Sequence, residues 1–321
     1  MELAFMIVGF MLASYSVVGN DVIQTLGTFL SSNKTKAWWI LWLYTISILV
    51  TVLVYGWVKY DGDVSYGRLE SIGDLPNPFH WWYLIPPVVL LVITRFGIPV
   101  STTFLILSVF KVQALPKMVE KSLIGYGLAF VVAIGIYFII SKSVEKYFLK
   151  SEHKNENLPF WTVAQWISTG FLWAQWLVQD LANIYVYLPR KLDATWFFAT
   201  LVLICGLQAI IFYFRGGQIQ KIVTTKINTE DIRSATLIDF IYGTILLIFA
   251  EWSKVPMSTT WVFVGLLAGR ELAMNWNLKI KGNTEVYRMV IRDLGRVTLG
   301  LVVSLLLIVL IRFFNGAPII E

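Results

Sequence analysis

Apolar runs of membrane-crossing length recur along this chain, and they limit what it can become more than any other feature. Residues 38–58, 122–140, 195–214 and 297–315 are each long enough to cross a hydrocarbon core of about 30 Å as a helix. Inside such a layer every backbone polar group needs a partner within the protein, which leaves helices and closed barrels. The runs do not alternate apolar with polar residues as barrel strands do. The pattern therefore predicts an all-α integral membrane protein. Charge agrees, since only 14% of residues are charged, against about 25% in a soluble domain. Trp38, Trp39, Trp57, Tyr60, Trp81, Trp82, Tyr147 and Trp161 sit at segment ends, where amphipathic rings anchor a helix at the membrane–water boundary.

Several function classes fall away on residue counts. The two histidines, His80 and His153, lie in expected loops, which argues against a His-built metal or haem site and leaves no Cys–His or Ser–His pair for nucleophilic catalysis. No enzyme activity and no organic cofactor are expected. The single cysteine, Cys205, excludes an intramolecular disulfide. The net charge of +6 sets orientation in a bilayer and does not imply a nucleic-acid partner. No cleavable signal peptide is expected after the Met-Glu start, which lacks a basic leader.

The chain contains one unit written twice. "RFGIPVSTTFLIL" at 95–107 returns as "WSKVPMSTTWVFV" at 252–264. Upstream, "GNDVIQTLG" at 19–27 corresponds to "VQDLANIYV" at 178–186, with Asp21 matched to Asp180. The charged stretch "KSVEKYFLKSEHKNEN" at 142–157 separates the copies. This divides the chain into a first membrane repeat (1–141), a cytoplasmic linker (142–157) and a second membrane repeat (158–321). We expect the two repeats to have inverted topology, as is common in transporters. Each is expected to carry a broken first helix and a re-entrant or broken Ser-Thr-Thr hairpin, over 81–110 and 237–269, interrupted by Arg95 with Pro99 and by Lys254 with Pro256. With the N-terminus outside, segments 32–37, 142–157, 215–236 and 270–296 become cytoplasmic. They hold sixteen Lys and Arg, against eight in 59–80, 111–121, 190–193 and the C-terminal tail, the direction of the positive-inside rule.

The matched acids lie near mid-membrane, where an ionised side chain costs roughly 2.5 kcal/mol or more and marks a pathway or a partner. Asn20, Asp21 and Gln24 in the first copy, and Gln179, Asp180 and Asn183 in the second, are candidate cation-binding residues. Their carboxylate and amide oxygens suit a hard ion such as sodium, with Asp21, Gln24, Asp180 and Asn183 as the principal ligands. Ser101, Thr102, Thr103, Ser258, Thr259 and Thr260 are candidate substrate-binding residues. Each triplet follows a proline and opens an apolar half-helix, whose free N–H groups and dipole favour an anion. Either set also has a plainer reading: the acids as interhelical hydrogen-bonding glue, the triplets as N-caps. Arg95 and Lys254 either balance anion charge or snorkel to an interface. Glu251 is placed to pair with Lys254, and the basic residues of 270–296 to form a solvated face.

These elements together resemble the inorganic phosphate transporter family, marked by a duplicated Gly-Ala-Asn-Asp-Val-Ala-Asn element and a duplicated Pro-Val-Ser-Thr-Thr-His element. "GNDVIQTLGT" at 19–28 and "QDLAN" at 179–183 resemble the first, and "GIPVSTTFLILSVF" and "VPMSTTWVFVGLLAG" the second. "GGQIQKIVTTKINTEDIRSAT" at 216–236 is similar to the loop before the second triplet. Gln24, Gln179, Val186, Phe104 and Trp261 depart from the family pattern. The resemblance implies symport of inorganic phosphate with sodium or a proton by alternating access, in a homodimer within the lipid bilayer. The expected location is the cytoplasmic membrane of a prokaryote. Sulfate transport on the same fold, or a non-transporting membrane scaffold or receptor, are the alternatives.

Overall fold

Proline, capping residues and apolar length together set the helix boundaries. The computed structural model describes residues 1–96, 100–140, 158–215, 232–278 and 282–316, with the side chains of 22–24, 140, 158 and 283 also outside the description. In chain order the helices are α1 (Glu2–Ser32), α2 (Trp38–Lys59), α3 (Ile85–Arg95), α4 (Thr102–Phe110), α5 (Leu115–Ile140), α6 (Leu158–Tyr185), α7 (Ala194–Tyr213), α8 (Ile232–Trp252), α9 (Thr259–Leu278) and α10 (Asn283–Phe314). Short 3₁₀ turns lie at Arg68–Ser71, Trp81–Leu84 and Val112–Ala114. Pro86 and Pro87 fall in the first turn of α3, where a missing N–H costs nothing. Asp193 caps α7, its Oδ1 accepting from the Trp196 N–H at 2.9 Å. Six stretches are long and apolar enough to cross a membrane: Glu2–Asp21, Trp38–Lys59, Val112–Ile139, Ala194–Tyr213, Ile232–Trp252 and Thr284–Phe314.

The corresponding first helices of the two halves run antiparallel. Phe10 near the start of α1 meets Tyr185 at the end of α6, with ring centroids 5.3 Å apart. Phe29, near the end of α1, meets Trp166, near the start of α6, at 5.2 Å. The next pair repeats the arrangement: Trp38 of α2 packs on Tyr213 of α7, and Trp57 stacks on Phe197 at 4.7 Å. The helices behind the Ser-Thr-Thr motifs cross over between halves, so that α9 packs on α5 and α10 on α4. Gly265 and Gly269, four residues apart on α9, allow its backbone to touch that of α5. A methyl group on Gly265 would lie 2.5 Å from the Tyr126 carbonyl, and one on Gly269 would meet the Phe130 carbonyl. Small residues at this spacing permit close helix approach where apolar burial supplies no driving force between helices.

The structure corrects three expectations. Neither first helix is broken: α1 is continuous over 31 residues and α6 over 28. No proline lies inside either helix beyond its first turn, and the polar side chains at the acids bond to neighbouring elements instead of unwinding their own. Each Ser-Thr-Thr region is a pair of helices meeting at the triplet, as a broken hairpin should be, but the two pairs are not matched in length. Helices α3 and α4 have 11 and 9 residues, about 16 and 14 Å long and too short to span. Helices α8 and α9 have 21 and 20, about 30 Å each. The segment 270–296 is not a loop, since α9 runs to Leu278 and α10 begins at Asn283. Arg270, expected on a solvated face, is buried and bonds Glu271 at 2.9 Å, because the close α5–α9 packing carries it inward over the Tyr137 ring. The linker 142–157, Pro99 and the segment 216–231 lie outside the described residues.

Candidate functional site

The duplicated motifs converge. Ser101 caps α4 with its Oγ accepting from the Phe104 N–H at 3.1 Å, and Ser258 caps α9 identically through the Trp261 N–H at 3.2 Å. The capping reading thus holds for the two serines. The last threonine of each triplet reaches across to the other copy. Thr103 Oγ1 donates to the Met257 carbonyl at 3.0 Å, and Thr260 Oγ1 donates to the Val100 carbonyl at 3.2 Å. Met257 and Val100 each precede a serine of a triplet, so the two bonds are reciprocal. Phe104 and Trp261, which follow the triplets, face each other edge-on at 5.8 Å.

Both acids join this centre. Asp21 Oδ2 accepts from Thr102 Oγ1 at 2.8 Å, and its Oδ1 accepts from Asn20 Nδ2 at 2.6 Å. Asn20 in turn bonds the Val100 carbonyl at 3.2 Å and accepts from Thr94 at 3.4 Å. In the second copy Asp180 Oδ1 accepts from Asn183 Nδ2 at 2.7 Å and from Thr103 Oγ1 at 3.3 Å, and Thr259 stands beside the same carboxylate. Asn183 Nδ2 also reaches Thr102 Oγ1 at 3.0 Å. A continuous chain therefore runs Asp21–Thr102–Asn183–Asp180 and links the two candidate cation positions through an anion-motif hydroxyl. None of Asn20, Asp21, Gln179, Asp180, Asn183 or the six triplet residues is more than 2% exposed. The centre is shut off from solvent.

Three buried oxygens here have no well-formed hydrogen bond: Gln179 Oε1, Asp180 Oδ2 and Asn183 Oδ1. Gln179 Nε2 is used on the Leu246 carbonyl at 3.1 Å. Orphaned buried acceptors are costly. Three of them from neighbouring residues on α6, one from a carboxylate, are the oxygen donor type that a hard cation takes. The first copy is different, since both oxygens of Asp21 are already hydrogen-bonded. Gln24 has its side chain outside the described residues.

Other expectations separate from the centre. Arg95 is exposed at the end of α3. Lys254 lies over the Tyr60 ring at 5.7 Å, and among the described residues it forms no ion pair with Glu251. Asp239 and Arg68 are the most deeply buried of the charges that the sequence did not single out. Asp239 on α8 is 1% exposed and accepts from Thr28 Oγ1 at 2.8 Å and Thr169 Oγ1 at 2.6 Å. Its only sequence signal was an acid inside an apolar run. Arg68, counted among the loop charges of 59–80, is completely buried, with Nε donating to the Val178 carbonyl at 2.7 Å. Burial pushes its guanidinium down to about 10, with nearby Asp180 opposing the shift. The loop folds inward because Asp63 accepts from the Ser65 and Gly67 N–H groups at 2.7 and 2.8 Å, an Asx-type turn.

No family model matches the chain, and no curated protein matches it. Among solved structures it is similar to one described as the sodium-dependent phosphate transporter, with a TM-score of 0.61 and 17% identity, covering 98% of each chain. At that identity the likeness is one of fold, and it extends over the whole membrane architecture.

Proposed function

We propose that this chain is a secondary active transporter that moves inorganic phosphate together with a cation, sodium being favoured over a proton. The observation that carries the reading is the sharing of hydroxyls between the two candidate sites. Thr102 donates its hydroxyl proton to Asp21, and Thr103 shares its own between Asp180 and the Met257 carbonyl. While the carboxylates are bare, those donors are engaged and two negative charges repel an incoming anion. A cation at Gln179, Asp180 and Asn183 neutralises one charge and offers a positive centre. It thereby frees hydroxyl donors for the oxyanion. Cation and anion then favour each other's binding, which is the thermodynamic content of symport. The fold likeness to a sodium-dependent phosphate transporter supports the cargo. The antiparallel α1–α6 and α2–α7 pairs and the reciprocal threonine bonds support two inverted repeats that rock about this centre.

The test is uptake of labelled phosphate into proteoliposomes containing the purified chain, under an inward sodium gradient, a proton gradient, or neither. Sodium-stimulated phosphate uptake with weak sulfate competition is expected. Uptake of sulfate in preference to phosphate would make the chain a sulfate transporter. Absence of transport of either anion would leave a scaffold role and overturn the proposal.

A further inference from the structure

Six hydroxyls and two helix starts are the anion's partners in the motifs, and none of them carries a formal charge. A fully buried cation lies outside both motifs. Arg68 sits in the loop between α2 and the Trp81–Leu84 turn, yet it is 0% exposed. Its Nε is spent on the Val178 carbonyl, two residues before Asp180. Both terminal nitrogens, Nη1 and Nη2, are buried with no hydrogen-bond partner. A guanidinium kept only to fasten the loop onto α6 would need the Nε bond alone. Leaving two further charged donors dry and unpaired is among the most costly arrangements in a protein interior. The free Nη1–Nη2 edge is the planar two-donor fork that matches two oxygens of a phosphate or carboxylate. Its electrostatic neighbourhood includes Asp180 and, more weakly, Glu251. Lys121 is also within electrostatic range, its Nζ bonded to the Ser253 and Val255 carbonyls at 2.8 and 2.7 Å. These residues form the stretch just ahead of Ser258. Arg68 is thus fixed to α6 within electrostatic range of Asp180, the carboxylate that the cation would neutralise, and of the Lys121 amine that holds the stretch ahead of the second triplet.

We propose that Arg68 is an anion-binding residue, its free guanidinium edge receiving two oxygens of the transported oxyanion beside Asp180. The proposal takes its cargo from the transport reading above, and its own measurement is separate. A rival role exists on the same geometry: a standing counter-ion for Asp180. The two roles predict opposite changes. Loss of an anion ligand weakens oxyanion binding. Loss of a counter-ion leaves an uncompensated carboxylate that binds sodium more tightly, with oxyanion affinity unchanged.

The experiment measures binding of inorganic phosphate, sulfate and sodium to the purified full chain by thermal shift and intrinsic tryptophan fluorescence. It compares wild type, Arg68→Gln and Arg68→Lys. For Arg68→Gln we expect apparent phosphate affinity at saturating sodium to fall by at least thirtyfold, with sodium affinity in the absence of anion within threefold of wild type. Arg68→Lys, which restores a point charge without the fork, is expected to lose about tenfold. Should the glutamine variant fail to fold, the lysine variant is read alone against the same tenfold expectation. Phosphate and sulfate affinities within twofold of wild type in the variant that folds would overturn the proposal, as would tighter sodium binding alone. Absence of any oxyanion effect on the wild-type protein would overturn it too. If oxyanion binding depends on Arg68 while liposome uptake is absent, this site stands and the transport reading fails.

Discussion

Asp180→Asn separates function from stability, and the two should move in opposite directions. The substitution keeps the shape of the side chain and keeps Oδ1, so Asn183 and Thr103 retain their acceptor at 2.7 and 3.3 Å. What changes is charge. Each of those two bonds passes from a charged to a neutral acceptor and weakens by about 1 kcal/mol, a loss of roughly 2 kcal/mol. Against this stands the penalty of burying an ionised carboxylate, several kcal/mol even after relaxation, at a residue that is 0% exposed. Repulsion from Asp21 is relieved as well. The folded protein is therefore expected to hold its melting temperature or gain a few degrees. The proposed cation site loses its formal charge. At about 2.4 Å and an effective dielectric of about 20, that charge supplies roughly 7 kcal/mol of attraction. If the amide dipole recovers half, the loss is about 3.5 kcal/mol, or roughly 300-fold in affinity. Differential scanning fluorimetry gives the first quantity, and the sodium dependence of phosphate uptake gives the second. Sodium-dependent uptake within threefold of wild type would refute the reasoning, and so would a fall in melting temperature of more than about 5 °C, which would mark Asp180 as structural.

Three further expectations concern parts of the fold that hold this centre in place. Gly265→Ala places a methyl 2.5 Å from the Tyr126 carbonyl and should destabilise by about 1–3 kcal/mol, whereas Gly127→Ala, with open space around it, should be neutral in the same melting assay. Thr169→Val removes one of the two donors to Asp239 and should cost about 1–3 kcal/mol; Asp239→Asn in that background should recover part of it, and no recovery would mean the carboxylate is not the cause. In a Cys205→Ser background, Asp61→Cys in intact cells should react with an impermeant thiol reagent and Lys34→Cys should not, both positions being exposed; the reverse labelling would invert the orientation drawn from the basic residues.

Duplication made the centre legible. A single buried acid or a single Ser-Thr-Thr has an ordinary structural explanation, but two copies of both at nearly equal spacing do not, and the structure brings Asp21, Asp180, Thr102 and Thr103 into one bonded chain. The fold class was legible for a different reason, since apolar length alone forces helices through a bilayer. What escaped the sequence belongs to one copy only. Neither Arg68 nor Asp239 lies in a duplicated motif, so nothing distinguished them from a loop charge and a stray acid. Burial of Arg68 depends on the Asx turn at Asp63 and on the Val178 carbonyl over a hundred residues away, a contact that no local pattern encodes. The continuity of α1 and α6 departs from the expected break, since neither helix carries a proline beyond its first turn. Neighbouring threonines and asparagines bond the buried acids within them.

The sealing of the polar centre has a kinetic consequence. With no residue there more than 2% exposed, ions cannot enter by diffusion through the conformation described. Entry waits for the protein to open, a rearrangement of the microsecond-to-second class. Rapid-mixing experiments should then show an observed rate that rises with ligand concentration only to a plateau, set by the opening rate and common to sodium, phosphate and sulfate. A substitution that frees the stretch ahead of Ser258, such as removal of the Lys121 amine that grips the Ser253 and Val255 carbonyls, is expected to raise that plateau rate and leave the equilibrium affinity unchanged.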